Sequence, residues 1–509
     1  MTADLRVFRD TYVDSVVQLS ASRTMTERDG IHWAAAAMAT PANLRTLTAE
    51  GFSAEGLGSA NDLFIAARGA DDDAVQAALA AAADAMFAAR TPTDGAGRVR
   101  PRRSIGRVVR ELPDTDVAVV SVPGDYAALE AHEALTAGLD VLLFSDNVPV
   151  ADEVALKDRA VRLGRLLMGP GAGTAMLGGT GLGFANVVHP GRVAVVAAAG
   201  TGAQEAMSLL DRWGVGLSCV IGLGGRDLSE QVDGRMAKAA IAALRADPGT
   251  DLIVLVSKPP AERVAREVLD GAAGFPLVAA LLGRPPDAEP IAGVTSARTL
   301  EAGVLGVLDA LGVERPDVVG DLQDRVAEVC SRLTAQRTAV RGLFSGGTLC
   351  YESLVILSDL LGPVYSNVPL VDALRAPGPA GSHSCLDLGE EEYTAGRPHP
   401  MIDPQARVEM LDEQGRDPDV AVILLDVVLG LGAHDDPAGQ LAPACARAVE
   451  HGAAVVAYVL GTEGDPQGYA RQRDVLRQSG CIVPETAARA ALAAAAVALR
   501  EPPLVRRLP

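Results

Sequence analysis

Glycine recurs at four places where an apolar run gives way to a helical pattern: AAAGTGAQE with Gly200, Thr201 and Gly202; IGLGGRD with Gly224 and Gly225; LFSGGTLCYE with Gly346, Gly347 and Thr348; and VVLGLGAHDD with Gly430 and Gly432. A glycine at a strand-to-helix turn lets backbone approach a ligand closely. The unpaired N–H groups of the first helical turn then point at that ligand, aided by the positive end of the helix dipole. One such terminus is worth roughly 0.3 to 1 kcal/mol when exposed and up to about 2 kcal/mol when partly buried. Two converging termini with a threonine hydroxyl are therefore expected to hold a phosphoryl group without a lysine. No GxxxxGK[ST] segment occurs in the chain, which argues against a conventional P-loop NTPase. For any single loop a tight turn is the plainer explanation; it is the repetition that points to phosphate.

Polar side chains near these loops supply the candidate chemistry. His399 lies in GRPHPMID between Pro398 and Pro400, whose fixed φ angles hold an imidazole in a rigid loop. With Arg397 beside it, it reads as a general acid/base or phosphate donor, or as a structural loop histidine. Arg226 and Asp227 close the GLGGRD loop, either to hold a carboxylate or as a surface arginine and a helix cap. His434, placed on the first turn of a helix after Gly432, is a phosphate contact or a cap, its neighbours Asp435 and Asp436 opposing an anion. Asn147 in SDNVP is a ligand contact or a turn former. The catalytic set is thus His399, Arg397 and Arg226, and the substrate-binding set Asn147, Asp227 and His434. His383, Ser384 and Cys385 have no acid placed to complete a triad, and SCLDL reads as a buried strand, so covalent catalysis is rejected there.

The elements that position these residues read as α/β. A chain of 509 residues exceeds one ordinary core. Residues 1–97 give short strands and amphipathic stretches, a small α+β domain ending in the linker-like TPTDGAGRVRPRRS. Residues 105–188 alternate strand and helix, with VAVVSV and DVLLF apolar throughout, the mark of a parallel sheet covered on both faces. This is a Rossmann-like unit. Two further α/β units follow at 189–315 and 338–509, bridged by a charged helix at 318–336. In them helices are expected at 204–213 and 228–245, and strands at 193–198, 252–256, 277–281, 421–425, 454–460 and 481–483.

Composition excludes several classes. A net charge of -20 repels phosphate backbones, so nucleic acid is not an expected partner. The arginines at 98, 100, 102, 103, 107 and 110 read first as a solvated linker and second as a site for an anionic partner. Cysteines 219, 330, 350, 385, 445 and 481 form no CxxC or Cys/His spacing, so no metal is expected. No apolar run approaches a membrane-spanning length, and the charged opening MTADLRVFRDTYVDS is unlike a secretory signal. A cytoplasmic, membrane-free protein is the expectation.

Several blocks resemble known sequences. DVLLFSDNVP, LLMGPGAGTAM, HPGRVAVVAAAGTGAQEAM and GLGGRD follow the order found in the succinyl-CoA synthetase α subunit. GLFSGGTLCYESLVIL, SCLDLGEE and DPDVAVILLDVVLGLGAHDD look like the ligase module of the β subunit. The layout, with RGLFSGGTLCYE and GRPHPMIDP, resembles the FdrA family. This implies a Rossmann-like CoA-binding-type domain and two flavodoxin-like ligase modules meeting across a pseudo-twofold, with the helix starts at Gly200 and Gly430 facing one phosphate and Thr201 a ligand. The turn AGVTSARTLEAG holds no histidine where the synthetases carry a phosphohistidine, the first CoA loop shrinks to SVPGDYA, and no ATP-grasp domain is recognised. The resemblance implies an oxamate carbamoyltransferase subunit, converting oxalurate and phosphate to oxamate and carbamoyl phosphate, within a hetero-oligomer. Phosphate or carbamoyl phosphate is its ligand. The alternatives are an acyl-CoA synthetase working with a separate ATP-grasp subunit, where CoA would bind, and a non-catalytic assembly subunit.

Overall fold

A computed structural model describes residues 2–9, 11, 13, 15–53, 57, 62–87, 104–284, 293–394 and 398–507. The chain resolves into two compact units, Met1–Pro101 with Glu391–His399, and Arg102–Glu390 with Pro400–Pro509.

In the first unit, β1 (Thr2–Phe8), α1 (Ser15–Thr26), β2 (Ile31–Met38), α2 (Pro41–Ala49), β3 (Leu63–Gly69) and α3 (Asp72–Phe87) alternate. The strands form an antiparallel sheet in the order β1-β3-β2. Ile65, Ala67, Val75 and Leu79 pack in one cluster and Leu47, Phe52, Phe64 and Ala66 in another, so alternate residues of β3 feed opposite faces. An α+β unit is what the sequence led us to expect.

The second unit opens with α4 (Ile105–Glu111), β4 (Val117–Val120), α5 (Gly124–Thr136), β5 (Asp140–Leu143), α6 (Val150–Leu163) and β6 (Leu167–Met168), its strands parallel in the order β4-β5-β6. Then follow β7 (Thr174–Leu177), β8 (Thr180–Gly183), β9 (Pro190–Ala198), α7 (Gly200–Arg212), β10 (Leu217–Gly222), α8 (Arg235–Ala246), β11 (Leu252–Ser257), α9 (Glu262–Gly271), β12 (Leu277–Leu281), β13 (Thr295–Ala297) and α10 (Leu300–Leu311). Beyond α11 (Leu322–Arg332) come β14 (Ala339–Phe344), α12 (Gly347–Leu361), β15 (Val364–Tyr365) and β16 (His383–Asp387); after α13 (Glu391–Thr394), which groups with the first unit, the second unit continues with α14 (Gln405–Arg416), β17 (Val420–Val428), α15 (Pro437–Glu450), β18 (Ala454–Leu460), α16 (Tyr469–Gln478) and α17 (Ala487–Leu499).

The two larger sheets run β13-β12-β11-β9-β10-β7-β8 and β15-β16-β14-β17-β18. In the first sheet β9 lies between β10 and β11, and in the second β14 lies between β16 and β17, so in each the strand order reverses beside the first parallel strand, as in flavodoxin-like sheets. Those reversals fall between β9 and β11 and between β14 and β17. Every residue of β17 and β18 is buried, which explains why these strands are continuous apolar runs. One hydrophobic core includes Val195 and Val254 from the first sheet, Val422 and Val456 from the second, and the alanines of α17. Small side chains along α17 let it pack closely on α12, β17 and β18.

Three expectations change. The second half of the segment read as a helix at 228–245 forms α8, while residues 225–234 are turns and a bend. The strand expected at 481–483 contributes only an isolated bridge from Ile482 to Val456. The hairpin β7–β8 pairs antiparallel with β10, so the sheet takes in strands ahead of residue 189.

Candidate functional site

The starts of α7 and α12 meet. The Thr348 backbone N–H donates to Thr201 Oγ1 at 3.2 Å, and both threonines are buried. A Cβ at Gly346 would lie 2.8 Å from Thr201 Cγ2, and one at Gly202 would lie 2.9 Å from Thr348 Cγ2. Both distances are too short for real atoms, so glycine at 202 and 346 is what allows the tips to touch. Gly200, at the head of α7, is exposed.

The two tips differ electrically. Ahead of α12, Asp426 accepts from Ser345 N at 2.8 Å, Ser345 Oγ at 3.0 Å and Gly346 N at 2.7 Å. Asp426 is 1% exposed and is paired with Arg407 at 3.1 Å. The positive end of this helix is therefore already answered by a carboxylate of the chain itself. A second acid, Asp387, ends β16, with Oδ1 accepting from Gly389 N at 3.0 Å. A Cβ at Gly347 would overlap the other Asp387 oxygen and lie 3.5 Å from Lys258 Nζ. Burial pushes Asp387 up to about 6 against the pull of the Lys258 ammonium. Neither helix has a side-chain cap of its own, and among the described residues no carboxylate bonds the N–H groups leading into α7, which leaves it as the uncompensated donor terminus.

The remaining sequence candidates are distributed as follows. Gly430 and Gly432 do not start a helix: both have positive φ in a turn, and α15 begins only at Pro437, capped by Asp436. Gly430 N donates to Gln467 Oε1 at 3.2 Å, and the Leu429 carbonyl accepts from Gln204 Nε2 at 3.3 Å. The loop therefore braces α7 through a side chain, and it is Gly346 to Thr348 that faces Thr201. Gly224, φ +81°, packs on the backbone of Gly169 and Pro170, and Gly225 begins a run of turns. Neither heads a helix. Arg226 bonds Glu153 Oε2 at 2.9 Å and the Val148 carbonyl at 2.8 Å. Asp227, fully buried, accepts from Lys157 Nζ at 2.7 Å and from Met236 N and Ala237 N at the start of α8. These are structural bonds, the capping alternative for Asp227. Asn147, exposed with φ 59°, brings its backbone close to Gly124. His434 precedes α15 by three residues, its Nδ1 accepting from Asp436 N at 3.0 Å. His399 belongs to the first unit, whereas the four glycine loops belong to the second. Arg397 lies outside the described residues. His383 Nδ1 accepts from Val340 N at 3.2 Å, in keeping with a structural strand residue.

Lys258, Asp387 and Asp426 escaped the sequence reading. Each stands near the carboxyl end of a strand, where ligands gather in sheets of this kind, but nothing in its local sequence marks it. Glu205 and Glu352 were missed too, although each is the sixth residue of a glycine-headed helix, Gly200 to Glu205 and Gly347 to Glu352.

The fold is α/β, and part of the chain matches the CoA ligases. Residues 343–497 match the family model described as CoA-ligase, and residues 1–101 match that of AllF, heavy metal-associated domain. Over 502 residues the chain is 38% identical to the uncharacterized protein YahF of Escherichia coli (strain K12), spanning 95% of this chain and 96% of that protein, and it belongs to the YahF family. It is also similar to the α subunit of the ADP-forming succinate–CoA ligase of Methanothermobacter thermautotrophicus, at 27% identity over 158 residues, 30% of this chain and 52% of that subunit. The chain thus spans about half the length of that subunit. Among solved structures, the apo dinucleotide-forming acetyl-coenzyme A synthetase 1 of Ca. Korarchaeum cryptofilum aligns with a TM-score of 0.33 at 16% identity, over 81% of this chain and 89% of that one.

The name of the first domain model implies a heavy metal, and the residues do not fit one. The first cysteine of the chain is Cys219, so residues 1–101 contain no thiol. Among the described residues no cluster of three or more His, Cys, Asp or Glu suits a metal ion. No described helix is long and apolar enough to cross a membrane.

Proposed function

We propose that this chain is part of an acyl-CoA ligase-type enzyme and exchanges an acyl group between phosphate and the thiol of CoA where α7 and α12 meet. In that step the thiol sulfur bonds the acyl carbon and the bond from that carbon to the phosphoryl oxygen breaks. Phosphate leaves with the electron pair, and the thiol proton passes to phosphate or solvent. The acyl phosphate is supplied by a separate ATP-grasp chain. One observation carries the reading: neither helix has a side-chain cap in its first turn, but Asp426 answers the N–H groups that lead into α12 while among the described residues no carboxylate does so for α7. An uncapped helix head at the carboxyl end of a sheet favours an oxyanion. The match to the CoA-ligase model and the likeness to a succinate–CoA ligase subunit support acyl rather than carbamoyl transfer. Carbamoyl transfer rests on the FdrA resemblance alone.

The test is to mix the purified protein with acetyl phosphate and CoA and follow thioester formation together with phosphate release. Thioester appearing with an equal amount of phosphate is the expected result. Phosphate-dependent turnover of oxalurate without any thioester would replace this reading with carbamoyl transfer.

A further inference from the structure

A single helix terminus contributes at most about 2 kcal/mol, roughly thirtyfold in affinity, which is too little to hold a small anion by itself. Lys258 is placed to add to it. In the β11–β9 register Ser257 stands opposite Ala198, so Lys258 leaves its strand level with the head of α7. Its Nζ reaches across to 3.5 Å from the Cβ position of Gly347 at the head of α12. The side chain is half-buried, and among the described residues its ammonium makes no hydrogen bond and no ion pair within 4 Å. An answering charge is Asp387, 3% exposed, which feels the Lys258 ammonium; one of its oxygens accepts from Gly389 N while the other faces Gly347. An ammonium spanning two helix heads, with a donor terminus on one side and a buried carboxylate on the other, has the form of an anion contact held ready by a counter-charge.

Resting on the acyl-transfer reading and adding a residue to it, we propose that Lys258 is the side chain that contacts the phosphoryl oxygens of the acyl phosphate and of the phosphate released from it, with Asp387 as the counter-charge that the bound oxyanion displaces. Gly347 is glycine because any side chain would fill the space between them.

The test is calorimetric titration of inorganic phosphate, and separately acetyl phosphate, into the full chain and its K258Q, K258R and D387N variants, each first checked for an unchanged melting temperature. K258Q is expected to weaken both ligands about tenfold or more, since it removes a charge-assisted bond. K258R should recover most of the loss. D387N, which keeps the size of the side chain and removes a negative charge next to the anion, should tighten both ligands, and this gain would still be measurable if K258Q failed to fold. Phosphate affinity unchanged in K258Q, or unchanged in D387N, overturns the proposal, as does a wild-type chain that binds neither ligand. Failure of the acyl-transfer reading looks different: phosphate binding that depends on Lys258 without thioester formation leaves Lys258 an anion contact and removes only the reaction.

Discussion

Glu352 holds one carboxylate oxygen 2.6 Å from Leu300 N and keeps the other buried with no partner among the described residues. Glu205, its counterpart on α7, accepts from Tyr458 Oη at 2.6 Å. Burial pushes Glu352 up to about 8, with Glu205 and Glu301 adding repulsion, and burial likewise pushes Glu205 to about 7 against the pull of Arg212. Glu301 itself is ion-paired with Arg489. A carboxyl whose pKa is higher in the folded chain than in the unfolded one binds more protons when folded, so stability falls as pH rises. The contribution is complete below the ordinary carboxylate pKa of about 4.3 and is lost as pH climbs through 7 and 8. Urea unfolding should therefore show the protein weakening by on the order of a few kcal/mol between pH 5 and pH 9, with a visibly flatter profile in E352Q. An E352Q profile that overlays the wild type would show that this carboxylate titrates normally.

At the scale of elements, the contact between α7 and α12 depends on a hydroxyl as well as on glycine. Replacing Thr201 with Val keeps the shape of the side chain and removes the acceptor for Thr348 N, leaving a buried donor unsatisfied at a cost of about 1–3 kcal/mol. Thr201→Ser should behave like wild type in the same urea series; equal losses in both variants would point to packing instead of the hydrogen bond. The helix heads at 200 and 346 were legible because an apolar strand runs directly into glycine and then into good helix formers. The loops at 224 and 430 misled because glycine alone does not distinguish a helix head from a turn with positive φ. Near the second of these, the true start was written in Asp436 and Pro437, a capping acid followed by proline at the first helical position. Lys258 could not be read from its surroundings, since its role depends on strands 339–344 and 383–387 arriving beside it in space.

For the whole molecule, the order of layers was visible in the sequence: strands buried on both faces are apolar at every position, and glycine marks the crossovers between them. The grouping of residues 391–399 with the N-terminal unit was not visible, because it joins segments separated by more than half of the chain. The same sequence argues against the metal that a domain name implies. After dialysis against a chelator-free buffer, elemental analysis should find copper and zinc well below one atom per chain; an equimolar metal would require ligands other than thiols in residues 1–101.

The inequality of the two helix heads also has an arithmetic consequence. Two halves of similar architecture suggest two equivalent places for an anion, yet Asp426 has already taken one of them from within. On the proposed reading this self-occupation leaves one anion place per polypeptide, so the expected saturation curve is that of a single independent site, with no cooperativity between its halves.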